Sequence, residues 1–197
     1  MTYPISIHQI DSLAALAAAI TILAVDGSPS GGGRTRTAIE ALARAGEPFG
    51  ARVLTIALAE PEGPDRALQA LESADAVVLG APVYRAAAAA PLKQLLDLIP
   101  RDNLERRSPL AAKPVAIVQT GASLHHFLAL DGVRNVLVGF FAAHVIAPGL
   151  YVPRDGFGES GLLEPYAAQA RTQGQALVEL TLAVNAGVAL AAVRPQA

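Results

Sequence analysis

Four apolar runs punctuate the chain: Ile20 to Val25, Arg52 to Leu58, Asp75 to Gly80 and Pro114 to Gln119. They are nearly continuous rather than alternating, the pattern of strands buried on both faces. A fifth strand is placed at His144 to Leu150. Between the runs the period changes to that of a helix. Ala38, Ile39, Leu42 and Ala45 share one face of a helix predicted from about Thr35 to Ala45 and ended by Gly46. The turn-rich Glu60 to Asp65 precedes a short helix over Arg66 to Ser73, with Asp65 as its cap. Pro91 sits where a helix tolerates proline, in the first turn, and Leu92, Leu95, Leu96 and Ile99 follow on one face until Pro100 stops it. Residues 101–112 are a polar connection. A helix from Ser123 or Asp131 to Ala143 would bury Val133, Val136, Leu137 and Phe140. After a Gly-rich loop at 153–161, a last helix covers roughly Glu164 to Val184. The Ala/Leu-rich Ser12 to Ala19 is read as a short helix in an N-terminal extension, 1–19.

Strands that alternate with helices over short connections imply βαβ units and a parallel sheet covered on both faces. The expected fold is one α/β domain over residues 1–197: a flavodoxin-like, doubly wound, five-stranded parallel sheet of order 2-1-3-4-5. Its ligand should sit at the carboxyl ends of the strands, beside strand one.

Composition narrows the chemistry. Fifteen Lys and Arg against 17 Asp and Glu leave no basic field for nucleic acid or a membrane surface. The absence of cysteine excludes disulfides, thiolate metal sites and cysteine nucleophiles, and fits the cytoplasm. The apolar run Leu13 to Val25 is shorter than the about 20 residues of a membrane span. No Lys or Arg precedes Arg34, so the basic start of a secretory signal is missing. A soluble protein is expected.

Three strand-end segments carry unusual chemistry. In Gly27 to Thr37, strand gives way to small residues and then to a helix start, a geometry that aims backbone N–H groups and a helix dipole at an anion. Ser28, Arg34, Thr35 and Thr37 can donate to phosphate oxygens. Thr37-x-x-Glu40 also reads as a capping box, so Thr37 is either a ligand or only a cap. The loop lacks the Gly-Lys-Ser/Thr ending of a P-loop and does not match G-x-G-x-x-G. In Ala81 to Ala90, Pro82 and Tyr84 lead into five alanines, a flat apolar ledge with free N–H groups for the edge of a planar heterocycle. In Gln119 to His126, small residues again allow a ligand against the backbone. His125 and His126 point about 100° apart on a helix and have no carboxylate at ligand spacing, so no metal site is assigned.

Taken in order, Gly-Ser-Pro…Arg-Thr-x-Thr, then Ala-Pro-Val-Tyr-Arg with Pro-Leu-Lys-Gln-Leu-Leu-Asp-Leu-Ile-Pro, then Thr-Gly-Ala-Ser-x-His-His resemble the NAD(P)H-dependent FMN reductases over about Ile20 to Leu150. The likeness is greatest to those that feed two-component monooxygenases. The resemblance implies that Ser28, Ser30, Arg34, Thr35 and Thr37 hold the FMN phosphate. It places Pro82, Val83, Tyr84 and Arg85 along the isoalloxazine, and Thr120, Gly121, Ala122 and Ser123 against the ring from the other side. Many members carry Arg where Ser30 stands, which leaves Arg34 or Arg36 to supply the charge, and glycine where Ala90 and Ala122 stand.

What the resemblance implies is hydride transfer from NAD(P)H to flavin N5 without a protein acid or nucleophile, since the cofactor carries the chemistry. The partners it implies are flavin and nicotinamide nucleotides, a flavin-dependent monooxygenase that takes the reduced flavin, and further copies of the chain in a homodimer or homotetramer. Two alternatives stand beside it: a tight-FMN reductase of quinones, azo dyes or metal ions, and a non-catalytic member that keeps the fold as a binding module.

Overall fold

The computed structural model describes residues 20–103 and 105–195, and the helix expected at Ser12 to Ala19 lies outside them. The first half runs β1 (Thr21–Asp26), α1 (Gly33–Arg44), β2 (Arg52–Ala57), α2 (Gly63–Ser73), β3 (Ala76–Tyr84), β4 (Ala87–Ala88) and α3 (Ala90–Leu98). β5 (Pro114–Gly121), α4 (Ala129–Asn135), β6 (His144–Val145) and β7 (Leu150–Pro153) come next. The small hairpin β8 (Phe157–Gly158) and β9 (Gly161–Leu162) leads to α5 (Tyr166–Ala186) and α6 (Val188–Ala192).

The parallel sheet is ordered β2-β1-β3-β5, with β6 and β7 both on the far side of β5. This is the expected 2-1-3-4-5 order with its fifth strand in two pieces. Successive residues of β5 show why the strands read as unbroken apolar runs. Val115 and Ile117 enter a core with α2, α3 and α4, whereas Ala116 and Val118 enter a second core with α1 and α5. Both faces are covered, so Pro114 to Val118 is apolar on both sides, and polar residues enter only at the carboxyl end of the strand.

Four expectations need correction. The fifth strand is not continuous from His144 to Leu150. β6 pairs with Pro114 and Val115, β7 pairs with Val118 to Gly121, and the residues between break the ladder. Pro148 has no N–H to donate, and Gly149 adopts φ 88°, outside the ordinary strand range. The helix ending at Ala143 is instead α4 followed by a widened π turn, Val136–Phe140. That extra residue per turn moves the inward face by one position, so Phe141 is buried and Phe140 is exposed. The last helix is followed by a further short one, α6. Finally, 81–90 is not a loop with free N–H groups. β3 continues to Tyr84, folds back as β4, and Ala89 N–H donates to the Pro82 carbonyl at 2.9 Å.

That hairpin turns through Arg85 and Ala86, at φ 52° and 64°. Two-residue hairpins require left-handed central residues, and Asn-Gly or Gly-Gly is the usual choice. An L side chain there costs about 1–2 kcal/mol, part of which glycine returns as unfolded-chain entropy. Ala86→Gly is therefore expected to stabilise the protein by about 0.5–1 kcal/mol in urea unfolding. A destabilised variant would show that the turn is not strained.

Candidate functional site

β1 ends in Asp26, whose side chain has no solvent exposure. The carboxylate accepts from Ser28 N–H and Gly32 N–H, both at 2.9 Å, and so folds the following loop back on itself. Burial pushes this carboxyl above its ordinary range, against the pull of those two N–H groups and of the Arg36 guanidinium. Gly27 N–H donates to the Gly80 carbonyl at 2.7 Å, and a Cβ on Gly27 would lie 2.8 Å from that oxygen. The loop therefore leaves β1 pressed against β3.

Gly31, Gly32 and Gly33 all have positive φ, at 65°, 73° and 69°. Only glycine takes three such steps without strain, and they swing the chain into α1. The helix starts at Gly33, two residues earlier than expected, with no side-chain cap and no acid in its first turn. Its opening N–H groups have no partner inside the helix and face the same side as the positive end of its dipole. Thr35, almost fully buried, shares a hydrogen bond of 2.7 Å with the Thr120 hydroxyl. This ties the start of α1 to the end of β5.

These segments enclose a cleft of about 370 Å³. Ser28, Ser30, Arg34 and Thr35 line it from the first loop, Pro82, Val83 and Tyr84 from the end of β3, and Thr120, Gly121 and Ala122 from the end of β5. Gly32, Gly33 and Arg154 complete the wall. One end is rich in hydroxyls, free N–H groups and guanidinium. The other is backbone, proline and an exposed Tyr84 ring. This donor set suits a phosphate monoester joined to a flat heterocycle.

Three expected residues do not line the cleft. Thr37 is neither in the wall nor a cap, because its hydroxyl donates to the Gly33 carbonyl one turn back, at 3.1 Å. Arg85 is at the tip of the β3–β4 turn. The Ser123 hydroxyl lies 3.3 Å from His125 Nδ1, and its carbonyl accepts from the Tyr151 hydroxyl at 2.7 Å. Arg36, the other candidate for the missing cation, is paired with Glu40 at 3.0 Å and is also absent from the wall. Among the described residues, no group of three His, Asp or Glu could hold a metal ion.

The wall residues that the sequence does not single out have separate causes. Gly32 and Gly33 are legible as flexible spacers, but their approach to the cleft depends on the loop's fold. Arg154 falls in a Gly-rich loop when the fifth strand is ended at Leu150. The pairing of Thr120 with Val152 and Gly121 with Pro153 carries the next residue to the rim.

The floor of the cleft leaves no room at Gly121, where a Cβ would lie 2.0 Å from the Tyr151 hydroxyl oxygen. Gly121→Ala is expected to cost about 1–3 kcal/mol through overpacking and to break the Tyr151–Ser123 bond. Tyr151→Phe alone should cost about 0.5–1.5 kcal/mol, the usual worth of one such bond. In the Gly121→Ala background the same change should instead restore stability, because it removes the clashing atom. A double-mutant cycle in urea measures this, and additive losses would refute it.

Comparison with known proteins identifies the family. Residues 20–156 match the family model described as NADPH-dependent FMN reductase. The chain belongs to that family. An NADH-dependent FMN reductase, SfnF, from Pseudomonas putida is 38% identical over 98 residues, 50% of each chain. The SfnF protein of Pseudomonas fluorescens (strain Pf0-1) is 36% identical over 125 residues, 61% of this chain and 64% of its own. The family member described here thus spans between half and two thirds of the length of these relatives. Among solved structures, the apo form of an NADH:FMN oxidoreductase (EMOB) superimposes with a TM-score of 0.69 at 22% identity, covering 81% of this chain and 89% of that one. It supports the fold. No helix among the described residues is long and apolar enough to cross a membrane.

Proposed function

We propose that this chain reduces FMN with NADH or NADPH, taking hydride onto flavin N5 and releasing reduced flavin to a partner oxygenase. What carries the reading is the convergence of three strand-end segments on one cleft, in a chain of this family. Arg34, Ser28, Ser30, Thr35 and the opening N–H groups of α1 hold the phosphate. Pro82, Val83 and Tyr84 edge the ring, and Thr120, Gly121 and Ala122 support its other side. FMN, when bound, supplies the hydride acceptor, so the protein needs to bind, orient and leave one face open for nicotinamide. Among the lining residues there is no carboxylate or histidine to serve as acid or base. The reaction belongs in the cytoplasm, where reduced nicotinamide nucleotides are replenished.

The test is steady-state oxidation of NADH and of NADPH with and without added FMN. Oxidation that saturates with added FMN supports the reading. A protein that is yellow as purified and needs no added flavin favours the tight-FMN alternative. No oxidation, together with no quenching of FMN fluorescence, leaves only a non-catalytic role.

We also infer self-association. Tyr84, Leu98, Leu124, Phe127, Leu128, Val138 and Phe140 are each 45% or more exposed, on the hairpin, α3 and the segment from β5 through the π turn. So many exposed large apolar side chains favour burial against a second copy of the chain. Light scattering after gel filtration should give a mass above one chain, and a monomer at micromolar concentration would refute it.

A further inference from the structure

The phosphate end of the cleft has a charge problem that its own loop does not solve. A phosphate monoester carries about −1.5 to −2 at neutral pH. Behind the loop lies the Asp26 carboxylate, which repels such an anion. Asp26 also takes the N–H groups of Ser28 and Gly32, while Gly31 N–H donates to the Ser28 carbonyl at 3.2 Å. Much of the donor capacity expected of a Gly-rich loop is therefore turned inward. What remains is the first turn of α1, the hydroxyls of Ser28 and Ser30, which lie 3.4 Å apart, and the available guanidiniums.

Of the nearby arginines, Arg36 is committed to Glu40 and Arg85 sits outside the wall. Arg34 and Arg154 both line the cleft, and neither makes an ion pair or a side-chain hydrogen bond among the described residues. They come from opposite ends of the topology, one from the start of α1 and one from the end of β7. Arg154 is also held in place. It opens a 3₁₀ turn, Arg154–Gly156, in which the Gly156 carbonyl accepts from Leu163 N–H at 2.9 Å. Gly156 itself packs so closely that a Cβ would lie 2.8 Å from both Val152 and Tyr166. A guanidinium without a partner among the described residues, on an anchored turn and lining the same polar cleft as a second one, is an arrangement for a doubly charged anion.

We propose that Arg154 is the second cation of the flavin-phosphate site and that it clamps the phosphate together with Arg34. The assignment rests on the FMN reading above and adds a residue from outside the three expected segments. It also accounts for how the site works with Ser30 in the first loop, since the balancing charge arrives from another strand.

Riboflavin, which lacks the phosphate, separates this role from a structural one. Kd values for FMN and riboflavin are measured by fluorescence titration with the wild type, Arg154→Gln and Arg154→Lys, alongside KM for NADH and NADPH. Arg154→Gln should weaken FMN about tenfold and leave riboflavin within twofold, and Arg154→Lys should recover part of the loss. FMN affinity of the wild type should also fall more steeply with salt than that of Arg154→Gln. Equal losses for riboflavin and FMN would overturn the proposal by showing a packing role. An altered KM for NADPH alone, with FMN binding intact, would overturn it in favour of the dinucleotide's phosphate. A wild type that binds FMN while Arg154→Gln binds it equally well sinks this assignment only. A wild type that does not bind FMN sinks the functional reading with it.

Discussion

Arg34→Ala should weaken FMN binding by roughly 10- to 100-fold, the range expected from losing a charge-assisted hydrogen bond worth about 1.5–3 kcal/mol. The side chain is exposed, lies in the opening turn of α1 and lines the cleft. Since it has no partner among the described residues, its removal leaves no buried group stranded. Thermal stability should therefore stay within about 0.5 kcal/mol of wild type, as for surface changes generally. Riboflavin affinity should not change, because the lost contact is to phosphate. At saturating FMN the turnover rate should remain near that of wild type, since Arg34 touches no reacting atom; the loss then appears in KM for flavin. FMN titration across the pair decides the matter. A Kd within twofold of wild type would mean that the phosphate lies elsewhere and that the first loop serves only to start the helix.

The parts of this fold that are legible in the sequence share a physical property. A strand buried on both faces is apolar along most of its length, so Ile20 to Val25 and Pro114 to Val118 announce themselves without context. The same holds for α3, where Pro91 opens and Pro100 closes a single apolar face. Errors arise where backbone geometry departs from its ordinary period. The π turn at Val136–Phe140 moves burial from Phe140 to Phe141, and a reading at 3.6 residues per turn has no means to anticipate it. Arg85 and Ala86 turn a hairpin with residues that ordinarily avoid left-handed φ, so the turn looks like a plain loop. At the site, the three glycines announce a tight turn into α1, but not the two N–H groups that Asp26 takes from the loop. Arg154 is hidden for a different reason. Its place in the wall depends on strand register, and a fifth strand ended at Leu150 hides the residue that comes after Pro153.

Gly174→Ala should destabilise the protein even though it improves helix propensity. Gly174 lies within α5, where glycine is less favourable than alanine by about 0.8–1 kcal/mol, so an isolated helix would gain. In the fold, however, an added Cβ would lie 2.2 Å from the Leu42 carbonyl oxygen and 2.6 Å from Ala45 Cβ. Leu42 lies in the last turn of α1 and Ala45 caps it, and the first contact is backbone, so no side-chain rotation relieves it. The two helices must part, and overpacking of this kind costs about 1–3 kcal/mol or more. The steric term wins, with a fall in Tm of about 2–4 °C for each kcal/mol in a chain of this size. Gly132→Ala is the matched control. Gly132 lies in α4 with nothing within 4 Å of an added Cβ, and there the propensity gain should stand alone and raise Tm slightly. Opposite signs for one chemical change would show that close approach of α5 to α1 requires Gly174. Because α1 also carries Gly33, Arg34 and Thr35, its displacement should weaken FMN binding as well, whereas Gly132→Ala should leave it unchanged. Stabilisation by Gly174→Ala would mean that the helices are not in contact at this point.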